Sequence, residues 1–475
     1  MVLISDNGVG VGSTSQKKQH MAEDGISTAI CQFIFDAKYD QLNENVIVKT
    51  KELVLDLIGI AAGAGAGGIC ESTAVFLKAV EGLGGKAGNS TVFTHGSGFS
   101  PQYAGLMNAA LAHSFDFDDT HVGGVLHPGA SVTPAALAQG ELIKCDGKTL
   151  LLGIAVGYEV ACRVGRGYNS GGIERGFHNT GTAGIFGAVA AIAKIKGLSL
   201  EEINNAIGLA VSLAAGSQQF LDNGAWNKRL HPGLMVHNAF LAIAFAEAGV
   251  VGAARPLEGR YGALRLYSTH PSTEGMIDNL GSEWIFLQTA IKPFPACRMT
   301  HAAIDIISQM AKEVEGKKTL EKITVALSPH CWEVVGTPNP NKVHAKNTVD
   351  GQFSIYYQAA IAWQYGALGW NMYDKEKMED PRIAELCDKI ESVVNDRVAR
   401  LETAVWFKWT DGTTTLIEQA HPLGETQNPL SKERIYGKFF GMVLPDAYDQ
   451  ARAEAIRDAV ESIDALNTID LMKLL

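Results

Sequence analysis

The chain of 475 residues has no C-x-x-C pair, and its seven cysteines (Cys31, Cys70, Cys145, Cys162, Cys297, Cys331 and Cys387) are scattered. An odd, dispersed set argues against a disulfide framework and a thiolate zinc site, and gives little support to an iron–sulfur cluster. No run of Lys or Arg is long enough to follow a phosphate backbone, and the formal net charge is -11. Nucleic acid is therefore not an expected partner. No apolar stretch reaches the roughly 20 residues of a membrane span. The longest, Leu53 to Ala66, contains Asp56 and reads as a buried helix, so no membrane partner is expected. The first 25 residues lack arginine and a long apolar core but include Asp6, Glu23 and Asp24. They read as a disordered tail (1–25) with no organelle address, which leaves the cytoplasm as the expected location.

What is present is a large apolar inventory. With 46% hydrophobic and 19% charged positions, the chain can bury a sizeable core and would ordinarily form more than one domain. From about Ile30 to His270 nearly every periodic segment has helical spacing. Val46 to Ala62 carries an apolar face that Gly63 to Gly68 is expected to stop, and Ser199-Leu-Glu-Glu202 is a capping box opening a helix. Asn238 to Ala248 reads as another helix. Gly181 to Ala193 and Ala206 to Ala215 are so rich in Gly and Ala that they predict closely packed interior helices.

Near Trp284 the texture changes. Lys322 to Ser328 alternates with period two, and Ala404 to Trp409, Asp411-Gly412 and Thr413 to Ile417 form a hairpin signature. Helical patterns at Thr300 to Val314, Gln352 to Tyr365 and Pro381 to Val393 lie between, and helix resumes from Ser431. The expected fold is mainly α: a large all-helical domain made from both chain ends (26–284 and 421–475), with a smaller α+β lid domain inserted at 285–420. A cleft between two such domains is a common ligand site.

Chemistry-bearing residues gather in four places. His113-Ser-Phe-Asp-Phe-Asp-Asp-Thr-His121, followed by Leu126-His-Pro-Gly129, puts three carboxylates and three imidazoles into an apolar region. Burying them without purpose would be costly, so proton transfer or metal binding is the natural use. The plainer alternative is that Asp118, Asp119 and Thr120 cap the next helix. No EF-hand loop and no H-E-x-x-H is present, although spacing alone leaves zinc open. Gly176-Phe-His-Asn-Thr-Gly-Thr182 sets His178 ahead of a Gly/Ala-rich helix whose N-terminal amides offer a seat for a carboxylate. Asn227-Lys-Arg-Leu-His-Pro-Gly233 and Lys292 to His301 supply lysines, arginines and histidines at loop-like positions, the groups a polyanionic substrate requires.

These motifs, D-F-D-D-T with H-P, G-F-H-x-T, K-R-L-H-x-G, K-x-F-P-A-C-R-x-T-H and D-G-Q-F-S at Asp350 to Ser354, resemble in that order the MmgE/PrpD family. The resemblance runs from about Ile30 to Leu475. It implies a helical domain with a lid, usually as a homodimer, needing no metal or other cofactor, and acting as a 2-methylcitrate dehydratase, cis-aconitate decarboxylase or iminodisuccinate epimerase. It places Asp116, Thr120, His127, His178, Lys228 and Lys292 around the substrate. The first motif, with Val-Leu-His-Pro-Gly-Ala, is nearer the decarboxylase and epimerase pattern than the dehydratase one. Some decarboxylases have a histidine where Cys297 stands.

The expected activity is a lyase on a small di- or tricarboxylate, with dehydration first, decarboxylation or epimerisation as alternatives, and a non-catalytic carboxylate-binding protein as the remote one. Lys228 and Lys292, assisted by Arg298, His231 and His301, are expected to bind carboxylates and stabilise charge beside them. His127 is the first choice for acid or base and His178 the second, since imidazole titrates near operating pH. Asp116 is expected to orient a histidine or accept a substrate hydroxyl, and Thr120 to donate a hydrogen bond.

Overall fold

A computed structural model describes residues 25–66, 70–399, 401–444 and 446–475. The tail expected at 1–25 lies outside them except for Gly25. The longer helices are α1 (Ile26–Asp36), α2 (Glu44–Gly65), α3 (Pro101–His113), α4 (Pro128–Ile143), α5 (Gly147–Tyr168), α6 (Gly184–Lys196), α7 (Leu200–Leu213) and α8 (Asn227–Glu247). They continue with α9 (His301–Glu313), α10 (Ile355–Tyr365), α11 (Pro381–Asp388), α12 (Lys432–Val443) and α13 (Gln450–Glu461). The protein is mainly α, and no helix among the described residues is long and apolar enough to cross a membrane.

Local chemistry sets the helix starts. The Asn43 side chain accepts from Val46 N, Asp146 from Thr149 N, and Ser199 forms its capping box with Glu202. Close packing of the Gly/Ala-rich stretch is observed where α5 crosses α6: a Cβ on Gly157 would lie 2.8 Å from Gly187 O, and one on Gly187 2.6 Å from Gly157 O. Only glycine allows that approach.

Helix α2 ends at Gly65, inside the Gly63 to Gly68 stretch expected to stop it. A Cβ at Gly63 would stand 2.7 Å from Met442 O, so this glycine also serves contact with α12. The segment Pro381 to Val393, by contrast, is not one helix. It divides into α11 and strand β6 (Ile390–Val394), whose β-branched residues favour the strand. Three short strands interrupt the helical region: β1 (Ser90–Val92), β2 (Gly96–Phe99) and β3 (Thr120–His121).

The buried apolar side chains form two clusters. One draws on residues from Ile26 to Ile291 and again from Ile435 to Leu475; the other runs from Phe294 to Trp409. The second surrounds a four-stranded sheet of order β6-β5-β7-β8, with β5 at Leu320–Leu327, β7 at Thr403–Trp409 and β8 at Thr414–Gln419. β5 pairs parallel with β6 and antiparallel with β7, and β7 pairs antiparallel with β8. A second link matters for the site: β3 pairs antiparallel with β4 (Thr289–Ala290), tying the segment after Asp116 to the start of the second cluster.

Candidate active site

Asp116 sits in the turn after α3 with φ of 50°, a left-handed backbone that aspartate tolerates better than most residues. Three consecutive carbonyls there are gripped by side chains from distant segments. Gln352 Nε2 donates to Phe115 O at 2.7 Å, Lys292 Nζ to Asp116 O at 2.8 Å, and Lys438 Nζ to Phe117 O at 2.9 Å. Lys292 Nζ also donates to Asp116 Oδ1 at 3.0 Å and Ala296 O at 3.0 Å, so all three of its N–H groups are engaged. Lys228 Nζ donates to the same Asp116 oxygen at 2.6 Å and lies over the Phe353 ring, keeping two N–H groups for a ligand. Burial alone would push the Asp116 carboxyl up; Lys228, Lys292 and His127 outweigh it and hold it well below the usual carboxylate range.

Lys228 and His231 lie in α8, not in a loop as their sequence suggested; Pro232 is accommodated inside the helix. Proline normally breaks a helix interior because it lacks the N–H, and here it sits early in the helix. The motif therefore faces Asp116 from a rigid element.

The imidazoles meet around a second carboxylate. Asp118 Oδ2 lies 2.7 Å from His113 Nδ1 and 3.3 Å from His127 Nδ1, while His127 Nε2 is 3.6 Å from Asp116 Oδ1. The His113 ring is edge-on to His127 at 4.7 Å and stacks on His178 at 5.5 Å. His178 Nδ1 and His231 Nδ1 are 3.1 Å apart, so one must donate and the other accept. Burial lowers the affinity of these rings for protons: His113 falls to about 3 and His231 to about 4, and His127 and His178 are lowered too. Asp118, despite its burial, is held well below the normal range by His113 and His127.

The neighbouring polar residues divide by role. Asp119 accepts from Tyr158 Oη at 2.6 Å and from Gly129 N at 3.0 Å, so it does cap α4; burial raises its carboxyl to about 7. Thr120 instead lines the cavity, and its Oγ1 has no protein partner among the described residues.

The cavity itself has a volume of about 150 Å³, and Asp116, Thr120, His127, His178, Lys228 and Lys292 all line it. Cys297 and Arg298 line it as well. The Arg298 guanidinium is already balanced: Nε and Nη2 donate to Glu425 Oε1 at 2.8 and 2.6 Å, and Nη1 to Leu423 O at 2.9 Å. His301 accepts from Arg298 Nη1 at Nδ1 and donates to Ala296 O from Nε2, and neither it nor His231 is part of the lining. Burial keeps the Cys297 thiol protonated, raised to about 12.

His113 and Asp118 belong to the first constellation read from the sequence but received no individual role there, and Gln352 and Lys438 received none either. Asp118 had capping as its plainer alternative, and Lys438 stands in an ordinary amphipathic pattern. Two donor sets have atoms within 4.8 Å of one another, His113 with His127 and His178, and Asp116 with Asp118 and His127. A divalent ion would fit either by donor chemistry, in competition with the lysines and the imidazole contacts described above.

Chemically, this is a cavity with one ligand-ready cation, an ionised carboxylate, neutral imidazoles and a hydroxyl, all sheltered from water. Comparison with known proteins covers both parts of the chain. Residues 28–275 match the MmgE/PrpD N-terminal domain and residues 294–465 the MmgE/PrpD C-terminal domain. The cis-aconitate decarboxylase of Aspergillus terreus is 26% identical over 495 residues, spanning 97% of this chain and 98% of that protein. The cis-aconitate decarboxylase-like protein oryM of Aspergillus oryzae is 24% identical over 479 residues, spanning 95% and 97%. The cis-aconitate decarboxylase of Mus musculus is 25% identical over 462 residues, spanning 92% and 89%. With both domains matched in order along nearly the whole described chain, the protein belongs to the MmgE/PrpD family.

Proposed function

We propose that the protein is a lyase for a small, aconitate- or citrate-like polycarboxylate, and that decarboxylation is its reaction. The observation that carries this reading is the convergence of Lys228, Lys292 and His127 on one Asp116 oxygen inside a sheltered cavity. The decarboxylases named above, similar over nearly their whole length, move the choice from dehydration to decarboxylation.

A substrate carboxylate binds the two unengaged N–H groups of Lys228. A second carboxylate, on the methylene carbon, leaves as carbon dioxide. Its bonding pair becomes a new carbon–carbon double bond, and the pair of the old double bond takes a proton at its far carbon. One proton is consumed per turnover, and His127 supplies it. The resting histidine is neutral because burial and the lysines oppose its charge. A polyanion seated on Lys228 reverses that balance and favours the imidazolium. Asp116 keeps Lys228 in place, and Thr120 offers its free hydroxyl to the substrate.

Dehydration of a 2-alkylcitrate is the second reading, favoured by Cys297, since a thiol stands where some decarboxylases place a histidine. Incubation with citrate, 2-alkylcitrates and cis-aconitate, followed by mass analysis, distinguishes loss of water from loss of carbon dioxide. His127→Gln and Lys228→Met should abolish either turnover in a folded protein; near-normal rates in both would overturn the assignment. The crevice between the two apolar clusters closing as a lid, and assembly as a homodimer, complete the proposal; scattering and sedimentation with and without substrate test them.

A further inference from the structure

Between the Thr120 hydroxyl and the His127 imidazole the chain makes a tight turn against the cavity. Leu126 O accepts from His121 N at 2.9 Å, and Val122 O accepts from Val125 N at 3.2 Å. His121 belongs to the lining, but both its ring nitrogens are engaged: Nδ1 accepts from Gly124 N at 2.9 Å, and Nε2 donates to Ile285 O at 3.2 Å. The rest of the turn's share of the lining is hydrocarbon, from Val122, Val125 and Leu126.

Val125 has φ of 54°, a left-handed backbone that a β-branched residue enters only under strain. Gly123 and Gly124 beside it could adopt that region freely, yet neither does. Gly124 serves close approach instead: a Cβ there would stand 3.1 Å from Cys162 O in α5, and one on Gly165 2.7 Å from Gly124 O. The path of the chain accounts for the φ of Val125 but not for the valine, because glycine or asparagine would follow the same path at lower cost. Core packing does not account for it either. The side chain is half-buried, lines the cavity and belongs to neither apolar cluster. Strained residues persist at sites that need them, and the one surface this isopropyl group meets outside its own turn is the cavity.

Resting on the lyase reading above, we infer that Val125 determines specificity: its isopropyl group packs on the carbon skeleton of the substrate and rejects acids that carry a hydroxyl there. The side chains of Val122, Val125 and Leu126 offer a hydroxyl no hydrogen bond, so it would lose hydration without replacement, whereas a C–H gains from the contact. An apolar wall disfavours an added hydroxyl by about 10²-fold at most, so the result is a bias and not a block. The flat, hydroxyl-free acid of a decarboxylase suits this wall better than the hydroxylated substrate of a dehydratase.

The test measures Kd by calorimetry on the full chain for propane-1,2,3-tricarboxylate and citrate, which differ by a single hydroxyl. The wild-type protein should bind the first about tenfold or more tightly. Val125→Thr keeps the branched shape and supplies a hydroxyl, and Val125→Gly removes the group altogether; both should bring the two affinities close to equality. Equal affinities in the wild-type protein, or a preference that survives in Val125→Thr, would overturn the inference, and Val125→Thr decides alone if Val125→Gly does not fold. Turnover of cis-aconitate on the same samples separates it from the lyase reading. Turnover without the preference keeps the lyase and removes the role of Val125; a preference lost in Val125→Thr, without turnover of any acid, does the reverse; absence of both removes both.

Discussion

His127 Nδ1 lies 3.3 Å from Asp118 Oδ2, an oxygen that also receives His113 Nδ1 at 2.7 Å. An ionised Asp118 can only accept, so the His113 ring carries its proton on Nδ1; His127 Nδ1 stands within ion-pair reach of the same oxygen without a formed hydrogen bond, and its Nε2 faces Asp116. Asp118 is a positioning residue in this arrangement. Asp118→Asn should lower kcat by about 10²-fold or more while KM changes little. Imidazole ¹⁵N shifts should show His113 losing its Nδ1–H tautomer and the His127 ring shifting with it; unchanged shifts and normal kcat would reject the role.

The two lysines around Asp116 should fail differently when removed. Lys228 has N–H groups to offer a ligand, so Lys228→Met should abolish turnover by losing the substrate carboxylate, with only a modest loss of stability. Lys292 is wholly engaged with Asp116 and Ala296. Lys292→Met should cost about 3 kcal/mol or more of folding stability, as expected when one partner of a buried charge pair is lost. Denaturant midpoints and steady-state kinetics on both variants check the contrast.

Acid should weaken the fold through its buried histidines. His113, His121 and His231 fall from the ordinary 6.5 to about 3, 4 and 4, so the unfolded chain binds more protons between those values. Their contribution is present above about 6.5 and is lost as pH falls through that window. Asp119, raised to about 7, acts oppositely: its contribution is present below the ordinary 3.8 and is lost as pH rises towards 7. The urea midpoint should therefore fall between about pH 7 and pH 4, and Asp119→Asn should make the fall steeper.

Glu425 reaches Arg298 from the segment after β8, and both side chains are largely buried. Glu425→Ala should destabilise by about 3 kcal/mol or more by leaving the guanidinium unpaired. It should also reduce activity, because His301 and the Cys297 turn hang on the same arginine. Glu425→Ala paired with Arg298→Met should recover part of the stability; additive losses would count against a direct pair.

Much of this was readable in the residues. Strand β5 follows from the alternation at Lys322 to Ser328, and the β7–β8 hairpin from Asp411-Gly412, because a half-buried strand and a tight turn are written locally. The carboxylate and lysine motifs mark Asp116 and Lys228 as candidates by local composition, whereas their meeting across 112 residues is not written locally. The stop at Gly63 to Gly68 is legible, but the packing role of Gly63 is not, because a glycine that ends a helix and one that admits a neighbour look identical until the neighbour, Met442, is known. The stretch around Pro232 was misread because proline argues locally for a loop, whereas α8 is held by packing along its length. Lys438 carried no signal at all: its value lies in Asp56, 2.6 Å away, and in Phe117 O, both contributed from far upstream.

Phe115, Asp116 and Phe117 are pinned by Gln352, Lys292 and Lys438 respectively. On a ribosome, the acidic turn emerges before any of its three anchors, and Lys438 follows Phe117 only 321 residues later. The helical portion made first must therefore wait for that residue before the turn is fully clamped. A product terminated ahead of it would carry Asp116 without one of the grips that fix its backbone.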